Sequence, residues 1–406
     1  MLRSNLRYSI IEGSFFALMF GFGENYLSAL GVFLGYSALQ ISVLGSFPQL
    51  IAAIAQLVSN TIAKQFSSMK MFCVSLAFIQ SMLWIILIFI IDQTSNYYVI
   101  LAWLVLYATI GSIIGPIWIS WVGYLVPARL RPNYHANRNR TIHFLIFVSI
   151  MLGGLILRYY DSDKLIGFSI MFAIAALGRM LSSYYLNKKT DAGQAKDGDR
   201  YTYRSMFRDR KKFYFMVFNT AIHFAVMFLG PLFTIYIIRT MGLSYMVLTL
   251  CMVTWWMGNV FSLKAWGRLS KERGNLYLLK LSSIVMCVLP ALWIGVYYFD
   301  DSGRIIVSLV INLLAGATFS GFGLSAFNLL YEICDSDEVV KFSSLVNFLK
   351  GVGIFVGSVI AGYIVDSGYL IDLLSGHAFT TIQLSMCVSI VLRCLSLIFL
   401  YRLERA

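Results

Sequence analysis

The chain has 406 residues, 59% of them hydrophobic and 13% charged, with a mean hydropathy of +0.76. A water-soluble fold of that length cannot bury so much apolar surface, so soluble enzymes and soluble binding modules are excluded and the solvent is expected to be lipid. The formal net charge of +13 does not imply nucleic acid as a partner, because the Lys and Arg residues fall between apolar stretches, where membrane topology puts them.

A helix needs about 20 predominantly apolar residues to cross the hydrocarbon. In chain order, runs of that kind are predicted over 8–34, 38–63, 70–91, 97–126, 141–158 and 164–187. After a polar stretch they resume over 212–238, 243–265, 276–299, 303–332, 341–366 and 378–402. The expected fold class is all-α integral membrane, with twelve transmembrane helices in two pseudo-symmetric six-helix bundles. The bundles occupy 1–187 and 212–406, joined by a basic linker over 188–211. Lys188, Lys189, Arg200, Arg204, Arg208, Arg210, Lys211 and Lys212, in and beside that linker, are expected to lie against anionic lipid headgroups. No cleavable signal peptide is expected.

With the amino terminus cytoplasmic, all but six of the 32 Lys and Arg residues fall on the cytoplasmic side of this map. Arg158, Lys164, Arg239 and Arg304 fall outside, and Arg179 and Arg393 lie within helices. Both termini are therefore expected in the cytoplasm of a multi-pass inner-membrane protein.

Polar side chains inside the spans are the functional candidates. Glu12 lies near the start of the first span, close enough to water to keep its charge. Glu24, in Gly21-Phe22-Gly23-Glu24-Asn25, lies well inside it, where a carboxylate is costly unless paired, hydrated or protonated. Helical spacing puts Glu24 on a small-residue face with Ala17, Gly21, Ser28 and Gly31. That face suits either a proton- or solute-binding cavity or a neighbouring helix. Gln49, Gln56 and Asn60 share one face of the second span, able to bind solute or to join helices. Trp103, Tyr107, Trp118 and Trp121 on the fourth span offer either solute stacking or an interfacial belt, as do Trp255 and Trp256 on the eighth.

His143 opens the fifth span as an interfacial residue. On the seventh span Asn219, Thr220, His223, Gly230 and Thr234 form a stripe whose histidine suits either proton exchange or a packing hydrogen bond. Asn312, Ser320 and Asn328 repeat the pattern more weakly on the tenth. The six cysteines have no CxxC or CxxxH spacing suited to a metal and read as small apolar side chains. HExxH and GxSxG motifs are absent and the histidines are scattered, which argues against a polytopic membrane enzyme. The longest loop leaves no room for the output domain of a sensor.

Residues 142–157 align without a gap on 346–361, pairing Phe144, Leu145 and Gly153 with Phe348, Leu349 and Gly357. Arg179-x-Leu181-Ser182-x-x-x-Leu186-x-Lys188 matches Arg393-x-Leu395-Ser396-x-x-x-Leu400-x-Arg402. A duplicated six-helix unit explains both matches, and their presence in each half gives Arg179 and Arg393 a structural duty.

Trp118-x-x-Trp121-x-Gly123-x-Leu125-Val126-Pro127-x-x-x-Arg131-x-x-Tyr134, followed by Arg138-Asn139-Arg140, resembles the fourth-to-fifth helix loop of bacterial permeases of the major facilitator superfamily. Gly267-x-Leu269-x-x-x-x-Gly274-Asn275 resembles the signature after the family's eighth helix. The loop over 63–70 departs from the family pattern, lacking its acid and its glycines.

The resemblance implies a monomeric transporter without cofactor or metal, working by alternating access, with the first, fourth, seventh and tenth helices around a midplane cavity. Glu24, Asn25, Gln49, Gln56, Trp118, Asn219, His223 and Asn312 are the candidates for solute or proton binding. Arg131, Arg138, Arg179, Arg393 and Glu332 are the structural or gating candidates, including an ion-pair gate between the basic loop and Glu332, Asp335, Asp337 and Glu338. The expected partners are the bilayer, a small neutral, zwitterionic or amphipathic organic solute, and protons. A proton-independent facilitator is the alternative.

Overall fold

The computed structural model describes residues 2–63, 68–126, 131–191, 203–334, 339–367 and 380–406. Regular structure among them is helical throughout. The first half contains α1 (Leu2–Phe22), α2 (Leu27–Phe33), α3 (Ala38–Ala63), α4 (Met69–Gln93), α5 (Tyr97–Leu125), α6 (Arg131–Tyr159) and α7 (Lys164–Asn187). After them come α8 (Tyr203–Arg208), α9 (Arg210–Val226), α10 (Leu232–Ile235), α11 (Tyr245–Arg273), α12 (Asn275–Val296), α13 (Asp301–Ile333), α14 (Val339–Ser367) and α15 (Thr381–Arg405).

Local chemistry sets many of the boundaries. Ser68, Asn96, Asp163, Asp209, Ser244 and Asp300 cap the amino termini of α4, α5, α7, α9, α11 and α13, each side chain accepting from an otherwise unpaired backbone N–H. Thr380 and Gln383 form a reciprocal capping box at the start of α15. Gly274, at φ +85°, turns the chain sharply between α11 and α12, a conformation open to a residue without Cβ.

Among the described residues, eleven helical segments are long and apolar enough to cross a bilayer. Their outward surfaces carry large apolar side chains such as Phe89, Phe261, Ile306 and Val310, each at least 60% exposed, as lipid-facing positions require. Cys73, Cys251, Cys287 and Cys334 are buried within apolar packing.

The expected seventh span, 212–238, is interrupted and is the one predicted run without a counterpart among those eleven segments. α9 stops at Val226, and the chain passes through Met227–Gly230 into the short α10 and a π-turn over Tyr236–Thr240. Pro231 is one cause, because it has no N–H to donate to the preceding turn. The first span is broken too: α1 ends at Phe22, Glu24–Tyr26 form a 3₁₀ turn, and α2 resumes at Leu27.

The chain separates into two compact units, Met1–Tyr36 with Ile51–Gly198, and Ser37–Leu50 with Asp199–Ala406. The first portion of α3 thus groups with the second unit, where Asp366 of α14 accepts from the Ala38 and Leu39 backbone N–H groups, both at 2.9 Å. In the first unit α1 packs on α6 and α7, and α4 packs on α5 and α7. The second unit repeats the arrangement: α9 packs on α14 and α15, and α12 packs on α13 and α15. Each unit therefore centres on a broken helix, α1 or α9, held by a helix that carries a buried arginine, α7 or α15.

Candidate functional site

In the first unit the break at Gly23 sets the site. A Cβ on Gly23 would stand 2.5 Å from the Trp84 ring, so the bare backbone lets the chain bend against that indole. Asn25 Nδ2 donates to the Phe20 carbonyl at 2.9 Å, satisfying an acceptor that the interrupted helix leaves without its usual partner. Glu24 thereby projects from the turn, half-buried, and accepts from the Tyr107 hydroxyl at 2.6 Å. Tyr107 stacks on Trp103 and meets Trp84 edge-on, with centroids 5.1 Å apart in both pairs, which fixes its ring.

Polar contacts continue from Tyr107 toward the start of α1. Gln80 Nε2 donates to the Tyr107 carbonyl at 3.3 Å, and Gln80 Oε1 accepts from Arg179 Nε at 2.9 Å. Arg179 Nη1 donates to Ser182 Oγ at 3.3 Å, and that hydroxyl lies 3.5 Å from Glu12 Oε1. Glu12 Oε2 is held by Lys189 Nζ at 3.1 Å and Arg138 Nη2 at 3.5 Å. Lys189 also donates to Ser9, whose hydroxyl bonds Tyr134. Burial pulls the Lys189 ammonium below its usual range, while the Glu12 carboxylate opposes that shift. Arg138 lies 4.2 Å above the Trp118 ring, and Lys189 lies 5.0 Å above Trp121.

The second unit has the same frame with different chemistry. Its break at Met227–Gly230 exposes carbonyls that α15 satisfies: Ser389 donates to Ala225 at 2.6 Å and Ser385 to Phe228 at 3.1 Å. His223 Nδ1 contacts the Asn219 carbonyl at 2.7 Å, and its ring meets Phe322 edge-on. Asn219 and Asn312 each donate to a carbonyl of the preceding turn, Phe215 at 2.9 Å and Ser308 at 3.0 Å. Arg393 Nε donates to Ser389 at 3.1 Å, and Nη1 donates to the Met286 carbonyl at 2.5 Å. The reason lies in α12, where Pro290 supplies no N–H to the carbonyl four residues earlier, that of Met286.

Several sequence expectations need correction. Glu12 does not rely on nearby water to keep its charge: it is 3% exposed and doubly paired, because the chain after α7 sets Lys189 over it. Lys189 itself is 1% exposed, its ammonium turned onto Glu12 and away from the surface. Glu24 shares no continuous helical face with Ala17, Gly21, Ser28 and Gly31, since the helix breaks at Gly23. For the same reason the stripe from Asn219 to Thr234 is divided after Val226, leaving Gly230 and Thr234 on another segment.

Among the other candidates, Gln49 is exposed on α3, and Glu332 accepts from Asn275 Nδ2 at 2.6 Å. The side chains of Gln56, Asn60 and Arg131, and the acidic residues 335, 337 and 338, lie outside the described residues. Sequence reasoning missed Gln80 as the link between Arg179 and Tyr107. Its signal was an amide in the middle of an apolar run. No group of three or more His, Cys, Asp or Glu is placed to hold a metal among the described residues.

The fold is similar to that of several solved transporters. The nucleoside transporter NupG has a TM-score of 0.71 at 13% identity, over 99% of this chain and 98% of that one. A bacterial homologue of the human lysosomal transporter Spinster, inward-facing and unoccupied, gives 0.72 at 12%, over 100% and 96%. A D-xylose–proton symporter gives 0.69 at 14%, over 97% and 96%. At such identities the likeness establishes the fold. No curated protein matches the sequence. The Major Facilitator Superfamily family model matches residues 8–358, taking in both broken helices and the Glu24 network and ending before the Arg393 helix. With this match, the apolar spans and the paired packing pattern, the chain is a multi-pass membrane transporter, not an enzyme, and belongs to the major facilitator superfamily.

Proposed function

We propose that the protein is a proton-coupled secondary transporter of a small organic solute. It works as a monomer by alternating access between two six-helix halves, in the inner membrane with both termini cytoplasmic. The observation that carries the reading is Glu24, a carboxylate set on the break of the first span and hydrogen-bonded to Tyr107. Discontinuous helices mark solute and ion sites in secondary transporters, and an ionisable residue within the membrane is a proton-pathway candidate.

Ionised Glu24 only accepts hydrogen bonds, and the bond from Tyr107 is charge-assisted. On taking a proton the carboxyl becomes a donor as well, and that bond weakens to a neutral one. The break at Gly23 is the element able to respond, with Gln80 and Arg179 fixing the far side of Tyr107. The likeness to a D-xylose–proton symporter supports the coupling, and the charge asymmetry across the spans supports the orientation.

Proteoliposomes carrying an internal pH dye test the coupling. D-xylose and uridine, suggested by the solutes of the structural neighbours, are the first solutes to try, followed by a wider panel. Solute-evoked proton movement is expected with the wild type and is expected to vanish in Glu24→Gln while unforced solute exchange persists. Unchanged proton movement in Glu24→Gln overturns the role of this residue, and solute flux indifferent to pH in the wild type replaces coupling with facilitated diffusion.

A further inference from the structure

Within the second unit, α9, the turn after it, α10, α11, α12, α13 and α15 line an open pocket of about 180 Å³. Trp255, Trp293, Phe233 and Gly230 line it, with Asn312 and Arg393 as the polar and charged residues of its wall. Arg393 is 3% exposed. A guanidinium carries five N–H donors in a rigid fork, and the bonds to Ser389 and Met286 use two of them. Both acceptors are neutral. Among the described residues no Asp or Glu pairs with Arg393, and Cys287 is the one titratable group that acts on it.

Arg179, at the equivalent place in the first unit, shows what such an arginine ordinarily needs. It lies one hydroxyl from Glu12 and feels the charges of both Glu12 and Glu24. A buried charge is costly unless an opposite charge offsets it, and an anion arriving from outside the chain would supply for Arg393 what Glu12 and Glu24 supply for Arg179. The structural duty of Arg393 toward Met286 calls for one donor and not for a full positive charge.

We infer that the Arg393 cavity is a binding site for an organic monocarboxylate with an aromatic or compact apolar body, its carboxylate paired with the guanidinium and its body between Trp255 and Trp293. The inference rests on the transporter reading above and names a chemical class for its solute. Guanidinium and carboxylate match in two parallel hydrogen bonds. Asn312 presents an amide beside them, and the walls are otherwise aromatic and aliphatic. A cavity of about 150 Å³ is enough to take up benzene, so the space admits a single-ring acid.

The test is binding to detergent-purified full-length protein, read as a rise in Tm and by isothermal titration. The probes are benzoate, phenylacetate and acetate, each beside its neutral amide, with sodium chloride as a further arm. Benzoate or phenylacetate is expected to raise Tm in proportion to the logarithm of its concentration, and the matching amides are not. Arg393→Gln, which keeps an amide donor for Met286 but removes the charge, is expected to weaken carboxylate binding about ten- to a hundredfold. Arg393→Lys, which keeps the charge without the fork, is expected to fall between.

The wild type's choice of acid over amide stands as a readout even where a variant fails to fold. Equal stabilisation by acid and amide, by chloride alone, or of Arg393→Gln by benzoate as strongly as wild type, overturns the site, as does no response to any carboxylate. Binding is read without a gradient, so failure here leaves proton-coupled flux standing, and failure of the Glu24 test leaves this result standing.

Discussion

Arg179 and Arg393 occupy matched positions in a duplicated pattern, both 3% exposed, both on a helix that supports a broken partner. Their surroundings diverge. Arg179 reaches Gln80, Ser182 and, beyond them, two carboxylates, so its charge is absorbed within the fold. Arg393 reaches a serine and a proline-orphaned carbonyl, so its charge is left for something else to meet. The same residue in the same frame therefore meets two different surroundings. The residue type sets the scaffold contact, and the presence or absence of acids on the facing helices sets whether the charge is spent internally.

The contrast is broken most severely at Glu12. Glu12→Ala removes the acid between Lys189 and Arg138 and leaves both cations without a counter-charge, which is expected to cost about 3–5 kcal/mol in denaturant unfolding of micelle-solubilised protein. Arg179→Met is expected to cost less, about 2–3 kcal/mol, by stranding Gln80 and Ser182. Arg393→Met is expected to stay within about 1 kcal/mol of wild type, because loss of the Met286 bond is offset by removal of an unpaired charge. Equal losses for the two arginines would refute the distinction drawn here.

A finer test addresses the Glu24 site. A double-mutant cycle over Tyr107→Phe and Glu24→Gln, read by the same unfolding, is expected to return a coupling of about 1.5–2 kcal/mol, the worth of a hydrogen bond to a charged acceptor. Near-additive losses would mean the 2.6 Å contact does not bind the carboxylate in the working protein. The smallest effect concerns the breaks. Gly23→Ala is expected to cost about 1 kcal/mol because its methyl meets the fixed Trp84 ring. Gly230→Ala is expected to be near neutral, since the added methyl would meet, at 2.8 Å, only the sulfur of the flexible Met227 side chain.

Much of this was legible before any coordinates. Lipid as solvent, nearly all the spans, and the matched arginines follow from apolar run length and spacing, which act locally and are written residue by residue. Glu24 and Asn25 could be singled out because a carboxylate in hydrocarbon is expensive whatever surrounds it. The breaks were not legible. Gly23 and Gly230-Pro231 are in plain view, but glycine and proline are tolerated inside membrane helices whenever neighbours satisfy the freed groups. Those neighbours, Trp84 against Gly23 and Ser385 and Ser389 against α9, come from distant parts of the chain.

Charge shows the same division. Hydropathy and the placement of Lys and Arg determine that the chain spans a membrane many times, because transfer free energy sums along a segment without reference to its partners. Pairing does not sum that way. Lys189 reads as one more linker cation until α7 is seen to set it over Glu12, 177 residues away in sequence. Arg393 reads as the twin of Arg179 until their facing helices are compared. Only tertiary structure decides those cases, since the energy of a buried charge depends on which groups stand within a few ångströms of it.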